Sequence, residues 1–133
     1  MTKAQAVPEL AGRSKAILVV EDEALVRLVI CEALREQGFT VVEAASAEEA
    51  EAVLASGLAV DLVFTDVHMP GTFDGLELAR RLRLRRPDLP VLVTSGRLDQ
   101  AGANGATGFL RKPYLPADAL ALIFSLIRKE AME

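Results

Sequence analysis

Two acids follow one apolar run of this chain, and a third acid follows another. Residues 15–20, KAILVV, lead into Glu21 and Asp22, and residues 60–65, VDLVFT, lead into Asp66. Ser95 follows LPVLVT, and Lys112 closes TGFLRK. If each run is a strand of one parallel sheet, these side chains emerge at a single edge however far apart they lie in the chain. Three carboxylates gathered there repel one another unless a cation joins them. An all-oxygen set, without cysteine or a histidine pair, favours a hard ion such as Mg²⁺. Mg²⁺ keeps waters and takes one or two carboxylates, which leaves one acid for other work. Asp66 is placed to be that acid. A carboxylate can attack phosphorus and form an acyl phosphate when positive charge offsets the oxygens of the incoming group. Lys112 and the metal supply that charge, and the Ser95 hydroxyl can donate to a phosphoryl oxygen.

Each of these residues also has an ordinary reading. Asp22 can cap a helix, Asp66 can cap a turn before Pro70, Lys112 can be an exposed lysine and Ser95 a loop hydroxyl. Their convergence on one edge is what argues for a site. The one histidine, His68, stands two residues after Asp66 in FTDVHMPG. It has no second imidazole or cysteine with which to build a metal centre. The single cysteine, Cys31, cannot form an internal disulfide, and inside a helical pattern it reads as packing rather than as a nucleophile.

The elements that must position these residues follow from period. KAILVV is nearly unbroken in apolar character, as a strand covered on both faces requires. Val26, Val29, Ile30, Ala33 and Leu34 then fall on one helical stripe that Gly38 can end. Residues 39–44, FTVVEA, predict a second strand, and Ser46 with Glu49 forms the S-x-x-E start of a helix running to about Ser56. VDLVFT predicts a third strand. Asp74 opens the next helix, with Gly75, Leu78, Ala79 and Leu82 inward and Pro87 beyond its end. LPVLVT and TGFLRK predict strands four and five, and Pro116 suits the first turn of a final helix to about Lys129. Alternation of this kind predicts an α/β doubly wound, five-stranded parallel sheet of flavodoxin-like order 2-1-3-4-5, with helices on both faces. Between Thr94 and Thr107 lie twelve residues with three glycines and no apolar stripe, so the fourth helix of the alternation is expected to be short or absent.

The chain has 133 residues, 51% hydrophobic and 26% charged, which suits one domain with one core. Residues 1–14 are expected to form a flexible tail ahead of a domain spanning 15–130. A net charge of −4 argues against a protein built to neutralise nucleic-acid phosphates. The run RRLRLRR, residues 80–86, reads as a solvated face complementing a helix C-terminus. No apolar stretch of about 20 residues and no signal peptide is present, so a cytoplasmic protein without a membrane partner is expected.

VVEDE, FTDVHMPG followed by DGLEL, VLVTSG and FLRKPY occur in that order over residues 15–129, and in this the chain resembles the receiver domain of two-component response regulators. The resemblance implies that Asp66 accepts a phosphoryl group from a phosphohistidine on a sensor histidine kinase or histidine phosphotransfer protein. It also implies a downstream protein target. Asp22 would hold Mg²⁺ directly, as Asp66 would, Glu21 would do so largely through water, and the backbone carbonyl of His68 would be a further ligand. Ser95 takes the switch-hydroxyl position, five residues after Pro90, with Phe109 as the aromatic that moves with it. Lys112 would contact the phosphate, with a cis bond to Pro113. His68 and Arg97, two residues after the phosphoacceptor and the switch hydroxyl, would tune hydrolysis. Such a domain turns over no separate substrate and catalyses only its own aspartyl phosphorylation and dephosphorylation. The resemblance further suggests a stand-alone, single-domain receiver acting through partners.

Two departures stand out. The loop MPGTFDG is one residue longer than the family's MPG-x-DG, and the segment after Ser95 is several residues shorter than a standard fourth helix needs. On the final helix, Leu120, Ile123, Phe124 and Ile127 form one stripe, expected to face the sheet. Ala119, Leu122 and Leu126 form a second, expected to serve a partner or a homodimer. Two other classes compete: a receiver-like binding module that is not phosphorylated, and a flavodoxin-like nucleotide binder. The first would lack an acid or the lysine, and all are present. The second calls for a glycine-rich loop where this chain has VVEDE.

Overall fold

The computed structural model describes residues 15–96 and 105–132. The chain alternates β1 (Ala16–Val20), α1 (Ala24–Glu36), β2 (Thr40–Ala44), α2 (Ala47–Ala55), β3 (Leu62–Asp66), α3 (Gly75–Arg85), β4 (Val91–Ser95), β5 (Gly108–Arg111) and α4 (Pro116–Met132). All strand pairs are parallel and the sheet order is β2-β1-β3-β4-β5. The predicted doubly wound sheet is therefore the observed one.

Alternation along the strands divides the core into two layers, because successive side chains point to opposite faces. Leu18, Val20, Val63, Val91 and Val93 pack with Ala47 and Ala50 of α2 and with Leu78, Ala79 and Leu82 of α3. Ile17, Val19, Leu62, Phe64 and Leu92 pack with Ile30, Cys31 and Leu34 of α1 and with Ala119, Ile123 and Ile127 of α4. Both faces of the central strands are covered, which is why KAILVV and VDLVFT read as nearly continuous apolar runs.

Local signals set the helix starts. The Ser46 hydroxyl oxygen accepts from Glu49 N–H at 3.1 Å, and Glu49 Oε1 accepts from Ala45 N–H at 2.8 Å, so the start of α2 is capped from both directions. Asp74 Oδ1 accepts from Glu77 N–H at 3.0 Å and caps α3. The arginine-rich end of α3 is tied to acids, with Arg80 and Arg81 on Glu77 and Arg81 and Arg85 on Glu51. The solvated-face reading of residues 80–86 fits these pairs.

Several boundaries and faces differ from expectation. β3 begins at Leu62 rather than residue 60, because Asp61 is occupied in pinning β1: its Oδ2 accepts from Ala16 N–H at 2.7 Å and its own N–H donates to Ala16 O at 2.8 Å. β4 runs Val91–Ser95, so Ser95, like Asp66, is the last residue of a strand rather than the first beyond it. Val29, on the apolar stripe predicted for α1, is 54% exposed, and Cys31 is buried with Ile30 and Leu34 instead. The final helix reaches Met132 rather than Lys129. Ala119, assigned to a second, partner-facing stripe, is fully buried, and Leu120, Leu122, Phe124 and Leu126 are half-buried against the same core layer. The two stripes are flanks of one broad apolar face on the sheet, so the argument for a homodimer through this helix loses its basis. The expected tail, the expected irregular connection and Arg97 fall on residues 1–14 and 97–104, outside the described residues.

Candidate functional site

The C-terminal ends of β1, β3, β4 and β5 place Glu21, Asp66, Ser95 and Lys112 at one edge, as parallel strands must. Asp66 is 6% exposed and Glu21 3%, with Asp22 the most open of the three acids. Lys112 Nζ lies 3.1 Å from Asp66 Oδ2 and 3.6 Å from Glu21 Oε1. The remaining Asp66 oxygen, Oδ1, accepts from Val67 N–H at 2.8 Å, and Glu21 Oε2 accepts from Glu23 N–H at 3.1 Å. Lys112 is itself held by its backbone, whose N–H donates to Ser95 O at 2.9 Å, and its bond to Pro113 is cis.

One carboxylate oxygen from each of Glu21, Asp22 and Asp66 lies within 4.8 Å of the others. Burial pushes the Glu21 carboxyl above its ordinary value of 4.5, and the neighbouring Asp66 charge adds to the rise against the lowering bond from Glu23. At Lys112 burial favours the neutral amine, but the bonds and charges of Asp66 and Glu21 outweigh it and hold the ammonium above its usual 10.5. Fully ionised, three carboxylates against one ammonium leave a net charge of −2 in the cluster. An all-oxygen donor set carrying that surplus fits a hard divalent cation.

The comparisons with known proteins agree with this geometry. A family model for the response regulator receiver domain matches residues 17–124. The chain belongs to the response regulator receiver domain family. Among curated relatives, this receiver is 36% identical over 134 residues to the sensor kinase CckA of Brucella abortus, covering 96% of this chain and 14% of that one. It is also 36% identical over 122 residues to the transcriptional regulatory protein AruR of Pseudomonas aeruginosa, covering 85% and 49%. The chain spans between 14% and 52% of the length of the first curated relatives it matches. Among solved structures, the receiver domain of NtrX from Brucella abortus is similar at TM-score 0.78 and 30% identity, covering 84% of this chain and 98% of that one. The response regulator TrrA from Thermotoga maritima, in complex with Mg²⁺ and BeF, is similar at TM-score 0.77 and 29% identity, with the same two coverages.

Around the cluster, the receiver's remaining predicted residues take distinct places. Ser95 is buried at the end of β4, while Phe109 is half-buried on β5 opposite Val93 and packs with the α2–α3 core layer. His68 is exposed on the loop after β3. Cys31 is fully buried, its thiol pushed up to about 11, first by burial and then by Glu43, which suits packing and not nucleophilic chemistry.

Some contributors gave no sequence signal. Arg27 of α1 donates from Nη1 to Glu21 O at 2.6 Å and pairs through Nε with Glu43 at 3.0 Å, tying the acidic turn to β2. Tyr114 packs edge-on to Phe64 at 5.8 Å between ring centroids, its hydroxyl pushed up to about 12 by burial and by the charges of Glu21 and Asp66. Beside Lys112 opens a groove of about 610 Å³ lined by Leu25, Val26, Val29, Ile30, Pro113 and Tyr114, among others. Gly75 fits because a β-carbon there would collide with the Asp66 carbonyl oxygen. The sequence marked Gly75 only as an inward helix position.

No helix among the described residues is long and apolar enough to cross a membrane.

Proposed function

We propose that this receiver accepts a phosphoryl group on Asp66 from a phosphohistidine of a sensor kinase or phosphotransfer protein, and that the acyl phosphate switches a surface read by a downstream protein. The observation that carries this reading is the Asp66 carboxylate, buried at the strand edge with Lys112 Nζ at 3.1 Å and the oxygens of Glu21 and Asp22 close by.

In the transfer, an Asp66 carboxylate oxygen forms the new bond to phosphorus as the bond from phosphorus to the donor imidazole nitrogen breaks. The electron pair leaves with the imidazole. Asp22 and Asp66 would hold Mg²⁺ directly, Glu21 largely through water and His68 through its backbone carbonyl. When bound, the metal supplies positive charge to the phosphoryl oxygens. Lys112, with Nζ 3.1 Å from Asp66 Oδ2, supplies a second positive charge. Ser95 donates its hydroxyl to a phosphoryl oxygen and, with Phe109, carries the change to the surface. His68 and Arg97, two residues after the phosphoacceptor and the switch hydroxyl in sequence, tune the hydrolysis of the acyl phosphate.

In this reading the domain is the acceptor in the transfer and turns over no separate substrate. Its working compartment is the cytoplasm, for which the buried lone thiol is suitable. Similarity to a sensor kinase and to a transcriptional regulatory protein supports a kinase donor and a regulatory output.

The test is incubation with a small acyl-phosphate donor and Mg²⁺. Wild type is expected to gain hydroxylamine-labile label that Asp66→Asn does not. Equal, hydroxylamine-resistant label in both proteins, or no Mg²⁺-dependent label in either, would overturn the reading.

A further inference from the structure

The enlarged loop between Asp66 and α3 is gripped by two helices. Thr72 N–H donates to Glu48 Oε2 at 2.5 Å, and the Thr72 hydroxyl donates to the same oxygen. The other carboxylate oxygen, Oε1, is buried with no hydrogen-bond partner among the described residues, and it lies against Gly71. A β-carbon at Gly71 would come within 2.6 Å of it, and Gly71 adopts φ +123, a conformation L side chains rarely take. The loop backbone and the Glu48 carboxylate therefore fit together only with glycine at this position.

One residue further on, Phe73 lies beneath the Arg81 guanidinium, 3.9 Å from its ring centroid. Arg81 in turn bonds Glu77 of its own helix at 3.0 Å and Glu51 of α2 at 3.2 Å. So α2 reaches the loop twice, directly through Glu48 and indirectly through Glu51 and Arg81. The loop ends are fixed as well, since Gly75 N–H donates to Val67 O at 2.9 Å and Gly75 abuts Asp66 O. This short stretch carries His68 on the same backbone as Asp66.

We propose that Glu48 is a positioning residue for the phosphoacceptor: by clamping Thr72 it holds the loop after Asp66 in the place where the His68 carbonyl and the Asp66 carboxylate together receive a divalent cation. The proposal rests on the phosphoacceptor reading above. Arg81 braces the same loop through Phe73. Hydrogen bonds from Thr72 hold the Glu48 carboxyl below its usual 4.5, so the clamp is ionised across the neutral range. Outer residues that orient a metal's ligands commonly alter its affinity by about tenfold or more when removed, without touching the metal themselves.

The test compares wild type with Glu48→Ala, Thr72→Val, the double variant and Glu49→Ala. Glu49 is the adjacent acid at the start of α2, and it bonds Ala45 rather than the loop. Two readouts are used: Mg²⁺ affinity by calorimetry, and amide hydrogen exchange of Thr72 without metal. Glu48→Ala is expected to weaken Mg²⁺ binding by about tenfold and to expose the Thr72 amide. Thr72→Val should weaken binding less, and the double variant no more than Glu48→Ala alone. Glu48→Gln, which keeps an oxygen acceptor, should restore part of the affinity, and Glu49→Ala should leave it unchanged. If Glu48→Ala and Glu49→Ala both lower stability while Mg²⁺ affinity stays at the wild-type value, Glu48 is merely a helix-start acid and the proposal fails. If wild type itself binds no Mg²⁺ and takes no label, the phosphoacceptor reading fails first, and the two failures are told apart by that control.

Discussion

The two flanks of Asp66 are built in opposite ways. On the α2–α3 side, the loop after β3 is held by charge and close contact: Glu48 on Thr72, Arg81 over Phe73, and Gly75 against the Asp66 carbonyl. On the α1–α4 side, the chain leaves apolar side chains uncovered. Leu25 is 76% exposed and Leu115 68%, beside a groove that reaches Lys112 and Tyr114. The difference teaches that the loop after Asp66 is fixed from the α2–α3 flank, while the α1–α4 flank ties the acidic turn through Arg27 and leaves its apolar groove open. Substitutions at the contacts of the closed flank should disturb both fold and site, while those at exposed groove residues such as Leu25 should disturb neither in the isolated domain.

The largest effect is expected at Gly75→Ala. The new β-carbon meets backbone, not a flexible side chain, so it costs about 3 kcal/mol or more of stability in urea titration and displaces Asp66. A variant of wild-type stability that still takes label would break the idea that this approach positions Asp66. Next in size is an alkaline transition from the buried core. Cys31 ionises near 9.0 when unfolded and near 11 when folded. The folded value is raised, so its contribution is complete below 9.0 and is lost as pH rises towards 11. Thiol reagent should accordingly react slowly at neutral pH and faster across that window, and rapid reaction at neutral pH would contradict the packing of α1.

Asp74→Ala removes the α3 cap and should cost about 1 kcal/mol by the same urea measurement, with labelling slowed because the loop end frays. The smallest effect is expected on the open flank. Leu25→Gln should change stability by no more than about 0.5 kcal/mol and leave labelling by a small donor at the wild-type rate. A clear loss in either would show that the groove contributes to the site's own geometry and would erase the contrast between the flanks.

Much of this is legible in the sequence. Strand periods, the S-x-x-E start of α2 and the Asp74 cap are local signals, and parallel order brings Glu21, Asp22, Asp66, Ser95 and Lys112 together by topology alone. What stayed hidden was tertiary. Val29 and Ala119 lie on apolar stripes whose period marks a helix without saying how far it is rotated against the sheet. Glu48 and Thr72 are 24 residues apart and read singly as a helix-start acid and a loop hydroxyl. The extra residue in MPGTFDG was visible, but the Glu48 clamp that accommodates the longer loop was not.

The central claim is that Asp66 is the residue that takes the phosphoryl group. Borohydride reduces an acyl phosphate at aspartate to homoserine, so reduction after labelling, followed by peptide mass spectrometry, locates the acceptor directly. Homoserine at position 66, formed only when Mg²⁺ and donor are both present, is the predicted result. Homoserine at position 22, or label that maps to His68, would contradict it.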